Sequence, residues 1–393
     1  MKRIHRTARR GATVGLAIAS IAVLAACGTS GGGGTATDEA MTELGDTEGT
    51  VSLLAWPGYV EDGSNDPEVD WVTPFEEATG CEVTSKVYGT SDEAFNLMKS
   101  GDYDVVAASG DASLRLVAAG DVAPVNTDLL ENYDGIYDFL KMQPWNSVDG
   151  VSYGIPHGYG ANLLQYRTDL VTPAPTSWDV VFDASDAYAG KVTAYDSPIY
   201  IADAAVYLMA HEPDLGIENP YALDQEQFDA AVELLKAQRA NIGEYWSDYL
   251  KQAQAFTTGD SVVGTSWQVI QNSLEAEGVP TAVVLPDEGT TGWSDTWMIA
   301  SEAKSPNCAY AWLDYIASPE ANAAATGYFG EAPSSDAACE FRTDCEAYHA
   351  GDEEYASQIW YWSTPIAECL DGRTDVECVD YAGWTEAWAE IKG

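Results

Sequence analysis

The strongest constraint on how this chain folds is an alternation of short apolar runs with amphipathic stretches that begins near residue 50. Residues 51–56 are apolar and end at Pro57-Gly58, and residues 71–79 place Trp71, Phe75 and Ala78 along one helical face. Residues 82–88 alternate at a period of two. Residues 91–100 read as a helix that opens with Asp92 and Glu93 and closes at Gly101, and residues 103–109 form a run of the kind buried on both faces of a sheet. The rhythm continues through residues 114–119. A helix between two strands returns the chain to the same end of the sheet, so successive strands pair in parallel. The pattern predicts an α/β lobe here.

A Gly- and aromatic-rich stretch, residues 154–166, reads as an extended segment leaving that lobe, and a second α/β series follows it. Strands are predicted at 191–195, 260–265 and 281–285. Helices are predicted at 199–210, 225–240, 245–256, 267–277 and 307–318, the second of these carrying Phe228, Ala231, Leu234 and Leu235 on one face. The tail after Asp336 reads as irregular, and there is no internal repeat. Roughly 340 residues after residue 50 exceed what one compact core carries, so two lobes are expected.

The N-terminus carries Lys2, Arg3, Arg6, Arg9 and Arg10 ahead of an apolar run over residues 12–26, the form of an export signal. Leu24-Ala25-Ala26-Cys27-Gly28 has the form of a lipoprotein box, in which small residues fit the peptidase and the Cys27 thiol takes the lipid. The following stretch to residue 50, with four consecutive glycines and many Thr and acidic residues, cannot bury a core and reads as a tether. A signal peptide over 1–26 and a flexible tether over 27–49 are therefore expected. The exported chain would face the cell exterior or periplasm, held to the membrane through this lipid only, since no later run approaches the roughly 20 apolar residues that span a bilayer.

Five of the 18 basic residues lie in the leader, which has no acid, leaving 13 against 63 acidic residues and a net charge of −50. Nucleic acid is excluded as a partner. Such a field concentrates cations, and it equally serves solubility in a salty habitat. Apart from Cys27 there are six cysteines, an even number that suits three disulfides in an exported chain. Cys339 with Cys345, and Cys369 with Cys378, are close in sequence and easily bridged, which leaves Cys81 with Cys308. No Cys-x-x-Cys or paired-His spacing points to a metal, so neither metal nor cofactor is expected.

Residues 292–297, Gly-Trp-Ser-Asp-Thr-Trp, bring two indole faces and one carboxylate into six positions. An ammonium over an indole face gains about 0.5–2 kcal/mol, and a carboxylate fixes its position. In open α/β sheets ligands lie beyond the carboxyl ends of strands. Trp56 and Tyr59, Ser109 and Asp111, Asp196, Trp267, and Trp293 with Asp295 all fall at such ends. Each alone is an ordinary core or capping residue; their shared position points to a cleft. His-Glu-x-x-His and Gly-x-Ser-x-Gly are absent, and only His157, His211 and His349 follow the leader, so a binder rather than an enzyme is expected.

With these residues in view, the chain resembles the extracellular solute-binding proteins of ABC importers, and within them the spermidine/putrescine-binding branch. The resemblance runs from about residue 50 to about 335. It rests on Leu54-Ala55-Trp56-Pro57-Gly58-Tyr59-Val60, Tyr103-Asp104-Val105-Val106, Gly154-Ile155-Pro156, Thr265-Ser266-Trp267, Trp293-Ser294-Asp295 and Thr326-Gly327-Tyr328. It implies a two-lobed α/β periplasmic-binding-protein-like fold of type II with ligand in the interlobe cleft. Lobe 1 would comprise residues 50–157 with 295–332, and lobe 2 residues 158–294 with 333–393, with crossings near Pro156 and Gly292. It implies an aromatic box of Trp56, Tyr59, Trp267, Trp293 and Tyr328 around a polyamine, with Asp196 and Asp295 on the amino groups and Ser109 adding a hydrogen bond. Two positions depart from the family: Asp111 stands where a Tyr is usual, and Ile199 where an acid is usual. A further family position, a Gln, falls near Trp362 and Ser363. The implied partners are a polyamine and an ABC permease, with the protein a monomer. The rivals are the same architecture binding a sugar or other small solute, and a secreted glycosidase with paired acids.

Overall fold

The computed structural model describes residues 40–183 and 186–393. The expected signal peptide, Cys27 and the expected tether as far as residue 39 lie outside the described residues. From there the parallel start is as the alternation requires. β1 (Thr50–Ala55) lies between β2 (Glu82–Val87) and β3 (Val105–Ala108), parallel to both. The intervening helices are α1 (Val72–Thr79) and α2 (Ser91–Met98). α1 stops at Gly80, whose φ of 71° suits glycine. α2 starts where the Thr90 hydroxyl accepts the Glu93 N–H, with Asp92 and Glu93 facing the positive end of the helix dipole.

α3 (Gly110–Ala119) follows β3, and a small hairpin of β4 (Ser147–Val148) and β5 (Val151–Ser152) leads into β6 (Ile155–Pro156). The first sheet is completed from far along the chain: β14 (Thr296–Ile299) inserts antiparallel between β3 and β6, giving the order β2-β1-β3-β14-β6. A second five-stranded sheet holds β8 (Leu163–Arg167), β9 (Val192–Tyr195), β10 (Ile242–Trp246), β11 (Val263–Ser266) and β12 (Thr281–Val284) in the order β10-β9-β11-β8-β12. Its connections are α4 (Asp179–Phe182), α5 (Ile201–His211), α6 (Gln225–Gln238), α7 (Tyr249–Thr258) and α8 (Gln268–Ala276). α6 begins with a capping box in which Asp224 and Gln227 satisfy each other's backbone N–H groups.

Between the two sheets lies a third, β15-β7-β13-β16, made of β7 (Gly158–Ala161), β13 (Thr290–Trp293), β15 (Ala332–Pro333) and β16 (Ile359–Tyr361). The chain leaves the first sheet through β7 and returns to it through β13. α9 (Pro306–Ile316) and α10 (Pro319–Phe329) pack on the first side, α11 (Glu353–Ala356) is a single turn, and α12 (Tyr381–Lys392) closes the chain. Each five-stranded sheet has its own core. Leu53, Phe75, Val105, Trp297 and Trp312 are buried in one, and Trp178, Ile199, Leu235 and Trp384 in the other. Two separately filled cores make this a two-lobed α/β fold.

Two sequence expectations need correction. Residues 245–256 are not one helix: Tyr245 and Trp246 end β10, and α7 begins only after Asp248, whose side chain accepts the N–H groups of Leu250 and Lys251. The tail is not irregular throughout, since β16 adds to the middle sheet and α12 buries Trp384, Trp388 and Ile391 in the second core. The six cysteines form Cys81–Cys308, Cys339–Cys345 and Cys369–Cys378. The first ties the turn after α1 to α9. Among the described residues no helix is long and apolar enough to cross a membrane.

Candidate functional site

A cavity of about 410 Å³ opens where the carboxyl ends of strands from both five-stranded sheets meet the middle sheet. Trp56 and Ser109 follow β1 and β3; Tyr195 ends β9; Ser247 and Asp248 follow β10; Trp267 follows β11. Trp293 ends β13, Asp295 lies in the link to β14, Phe329 ends α10, and Trp362 follows β16. The walls are aromatic and continuous. Trp267 lies 5.0 Å from Trp293 and 5.6 Å from Tyr195, and Trp362 stacks on Tyr195 at 5.6 Å, all between ring centroids. Backbone closeness makes this possible. A Cβ on Gly160 would fall 2.3 Å from the Trp293 ring, and one on Gly110 would fall 1.7 Å from the Trp362 carbonyl oxygen.

Three of the four cavity indoles spend their N–H groups on protein acceptors, while Trp362 Nε1 is buried without one among the described residues. Trp56 Nε1 donates to Ser109 Oγ (3.1 Å), Trp267 Nε1 to Asn162 Oδ1 (2.9 Å), and Trp293 Nε1 to Glu331 Oε2 (2.9 Å). These three indoles therefore present carbon to whatever enters. The charged group of the floor is Asp295, 3% exposed. Its Oδ2 accepts the Tyr59 hydroxyl at 2.9 Å, while Oδ1 is buried without a protein donor among the described residues. Burial pushes its carboxyl up to about 6; the Ser109 hydroxyl, near but outside hydrogen-bond geometry, and the Tyr59 hydroxyl offset part of this, and the charge of Asp111 adds to it.

Behind the Trp293 wall lies a second buried acid. Glu331 is pushed up to about 8, first by burial and then by the charge of Asp295. Its Oε1 is 3.7 Å from His157 Nε2. His157 Nδ1 accepts the Trp297 N–H at 3.0 Å, which puts the ring proton on Nε2, and burial lowers its pKa to about 3. Burial disfavours the charged form of both partners, so it works against an ion pair here. The effect of the pair is to hold Trp293 in place.

Of the residues expected from sequence, Trp56, Ser109, Trp267, Trp293 and Asp295 come together around the cavity. Tyr59 lies beneath it, fully buried, and reaches it through Asp295. Three others are elsewhere. Tyr328 is 46% exposed and points away, because on α10 the next residue, Phe329, takes the cavity-facing position. Asp196 is turned to α12, with Lys392 Nζ 2.6 Å and Trp388 Nε1 3.1 Å from its Oδ1. Asp111 is turned into the lobe, accepting from Ser91 (2.8 Å) and Tyr381 (3.3 Å). Tyr195, Phe329, Trp362 and Glu331 were not singled out as site residues from sequence. Tyr195 was one residue from the chosen Asp196, and strand alternation sends those two side chains to opposite sides.

Far from this cavity, Asp179, His211 and Glu288 come within 4.8 Å of one another, close enough to share an ion. Their separation in sequence hid them from any spacing rule. His211 Nε2 is 2.9 Å from Glu288 Oε1, so a direct hydrogen bond between the two side chains accounts for the cluster equally well.

The profile of the bacterial extracellular solute-binding proteins matches residues 70–350. The chain is 24% identical over 282 residues to the putrescine/cadaverine-binding protein of Pseudomonas aeruginosa, covering 67% of this chain and 73% of that protein. It is 22% identical over 279 residues to the spermidine/putrescine-binding periplasmic protein of Escherichia coli, covering 70% and 74%. Among solved structures, a spermidine/putrescine ABC transporter substrate-binding protein of Streptococcus pneumoniae superposes with a TM-score of 0.67 at 19% identity, over 87% of this chain and 97% of that one. The PBP MotA from A. tumefaciens, solved in complex with glucopine, superposes at 0.65 and 17% identity, over 88% and 100%. At those identities the structures speak for the fold. The sequence match over most of the chain speaks for the family: this chain belongs to the bacterial extracellular solute-binding proteins.

Proposed function

We propose that this protein captures a polyamine of the putrescine or spermidine type in the cavity between its lobes and delivers it to an ABC permease. The observation that carries the reading is the pairing of aromatic walls with Asp295, a buried carboxylate that keeps one oxygen without a protein donor. An ammonium supplies the charge and the N–H that this oxygen lacks, and its methylene chain suits the carbon faces of the indoles. The names of the relatives agree with an amine ligand. A sugar fits less well, since a pyranose needs many hydrogen-bond partners and the N–H groups of Trp56, Trp267 and Trp293 are already used inside the protein. Cleavage of a glycoside needs a second carboxyl facing the first across the cavity, and Asp248 at the rim is an exposed helix cap. The protein is on this reading a monomeric binder without catalytic activity.

The lobes are proposed to meet at β7 and β13, with residues 50–157 and 295–332 on one side and 158–294 and 333–393 on the other, except that Ser334, Asp336, Tyr348 and Ala350 pack on Tyr137, Asn322 and the first core and so belong with the first lobe. Closure over the ligand would turn on those strands and present the closed form to the permease. Lipid attachment at Cys27 would hold the protein at the membrane, and Cys27→Ser is expected to release it into the soluble fraction. Calorimetric titration with putrescine, spermidine, maltose and an amino-acid mixture tests the ligand class. Heat with an amine alone supports the proposal, and heat with maltose alone refutes it.

A further inference from the structure

We propose that the cavity grips its ligand by one ammonium group only, leaving the far end hydrated at the mouth, so that a monoamine binds nearly as well as a diamine of the same length. The inference rests on the amine reading above and narrows it. The starting point is a census of carboxylates within reach of the aromatic walls. Asp295 offers a buried oxygen without a protein donor. Two others are turned into the protein. Asp196 is taken by Lys392 and Trp388 of α12, a helix anchored in the second core by buried Trp384 and Ile391. Asp111 accepts from Ser91 and Tyr381 on the far side of Ser109. Asp248 lines the rim, exposed, where Oδ1 accepts the first N–H groups of α7 and Oδ2 faces solvent. An ammonium there keeps its water and gains only a solvated ion pair, which contributes little.

Among the described residues the walls between floor and rim carry no further carboxylate, only the neutral hydroxyls of Tyr195 and Ser247. Trp267 and Trp293 spend their N–H groups on Asn162 and Glu331 and show carbon to the cavity. A second ammonium pressed against these faces would lose its water without gaining a carboxylate. The cost of stripping an ammonium exceeds what a cation–π contact returns, so the second group stays where solvent reaches it. Neutralising that far end therefore removes little binding. A two-ended site behaves oppositely, because each end depends on a desolvated charge pair.

The test is calorimetric titration of the mature protein with putrescine and with n-pentylamine, which replaces one ammonium by a methyl at equal chain length. The expected result is dissociation constants within about tenfold of each other. Asp196→Asn, measured in parallel, is expected to leave both within about threefold of wild type. If putrescine binds and pentylamine is weaker by more than tenfold, the one-ended inference is overturned while the amine reading stands. A loss of more than tenfold for putrescine in Asp196→Asn, with pentylamine unchanged, overturns it in the same way. Binding of neither amine overturns both together.

Discussion

Replacing Trp293 separates two roles that the structure assigns to different parts of one side chain. The ring forms a wall of the cavity, and the N–H holds the buried acid behind it at 2.9 Å. Trp293→Ala removes both. Truncating an indole that is 5% exposed costs about 3–5 kcal/mol of stability, and losing an aromatic anchor costs about 1–3 kcal/mol of ligand binding. Trp293→Phe keeps a ring face and loses only the N–H. Glu331 is then left without its donor, at a cost of about 1–3 kcal/mol. Putrescine affinity in Trp293→Phe should stay within about threefold of wild type, because the ring face remains. Urea unfolding followed by circular dichroism reads the first quantity and calorimetry the second. Should Trp293→Phe lose as much affinity as Trp293→Ala while keeping full stability, the N–H serves the ligand and not Glu331, and the reasoning is wrong.

On α10, Phe329→Ala should weaken putrescine binding by about 1–2 kcal/mol while Tyr328→Ala leaves it unchanged, and calorimetry on the two variants reverses this order if the helix is rotated. The pH dependence of binding follows from Asp295, whose carboxyl is raised to about 6 by burial. A cation binds the ionised form, so affinity should be full above about pH 7 and fall as pH drops through 6, about tenfold per unit. Stability moves the other way, since the folded state favours the neutral carboxyl and gains as pH falls through the same window; titrations at pH 5, 6 and 7.5 with matched melting curves check both signs. Mature protein denatured without reductant should show no free thiol, as the three bridges require.

The parts of this molecule that obey local periodicity were legible in its sequence. From β1 to β3 the first lobe's strands and helices sit within two residues of where alternation and helix caps put them, because each burial face is written at a fixed period, whereas α3 starts four residues ahead of its apolar run. The cavity's indoles were legible for the same reason, since Trp56 and Trp267 follow strands that the pattern located. What escaped depends on contacts between distant residues. The pairing of Lys392 with Asp196 spans 196 positions and leaves no local mark. Tyr328 and Phe329 differ by one helical step, about 100°, and no pattern in 319–329 says which faces inward, as the weakly amphipathic, alanine-rich helix shows no clear apolar stripe. Tyr245 and Trp246 suit either period by their apolar character, and only the Asp248 cap separates them from the helix that follows. The Trp384, Trp388 and Ile391 spacing of α12 is helical in hindsight, though the neighbouring cysteines drew the whole tail toward an irregular reading.

The most direct test of the central claim is the affinity of Asp295→Asn for putrescine at low ionic strength, beside the wild type. The amide keeps the shape, can still accept the Tyr59 hydroxyl, and removes the charge on which the ammonium depends. Binding should weaken by about 2–5 kcal/mol, enough to take a micromolar site out of measurable range. Wild-type affinity in Asp295→Asn would contradict the account, since the ligand would then be no cation held at that carboxylate.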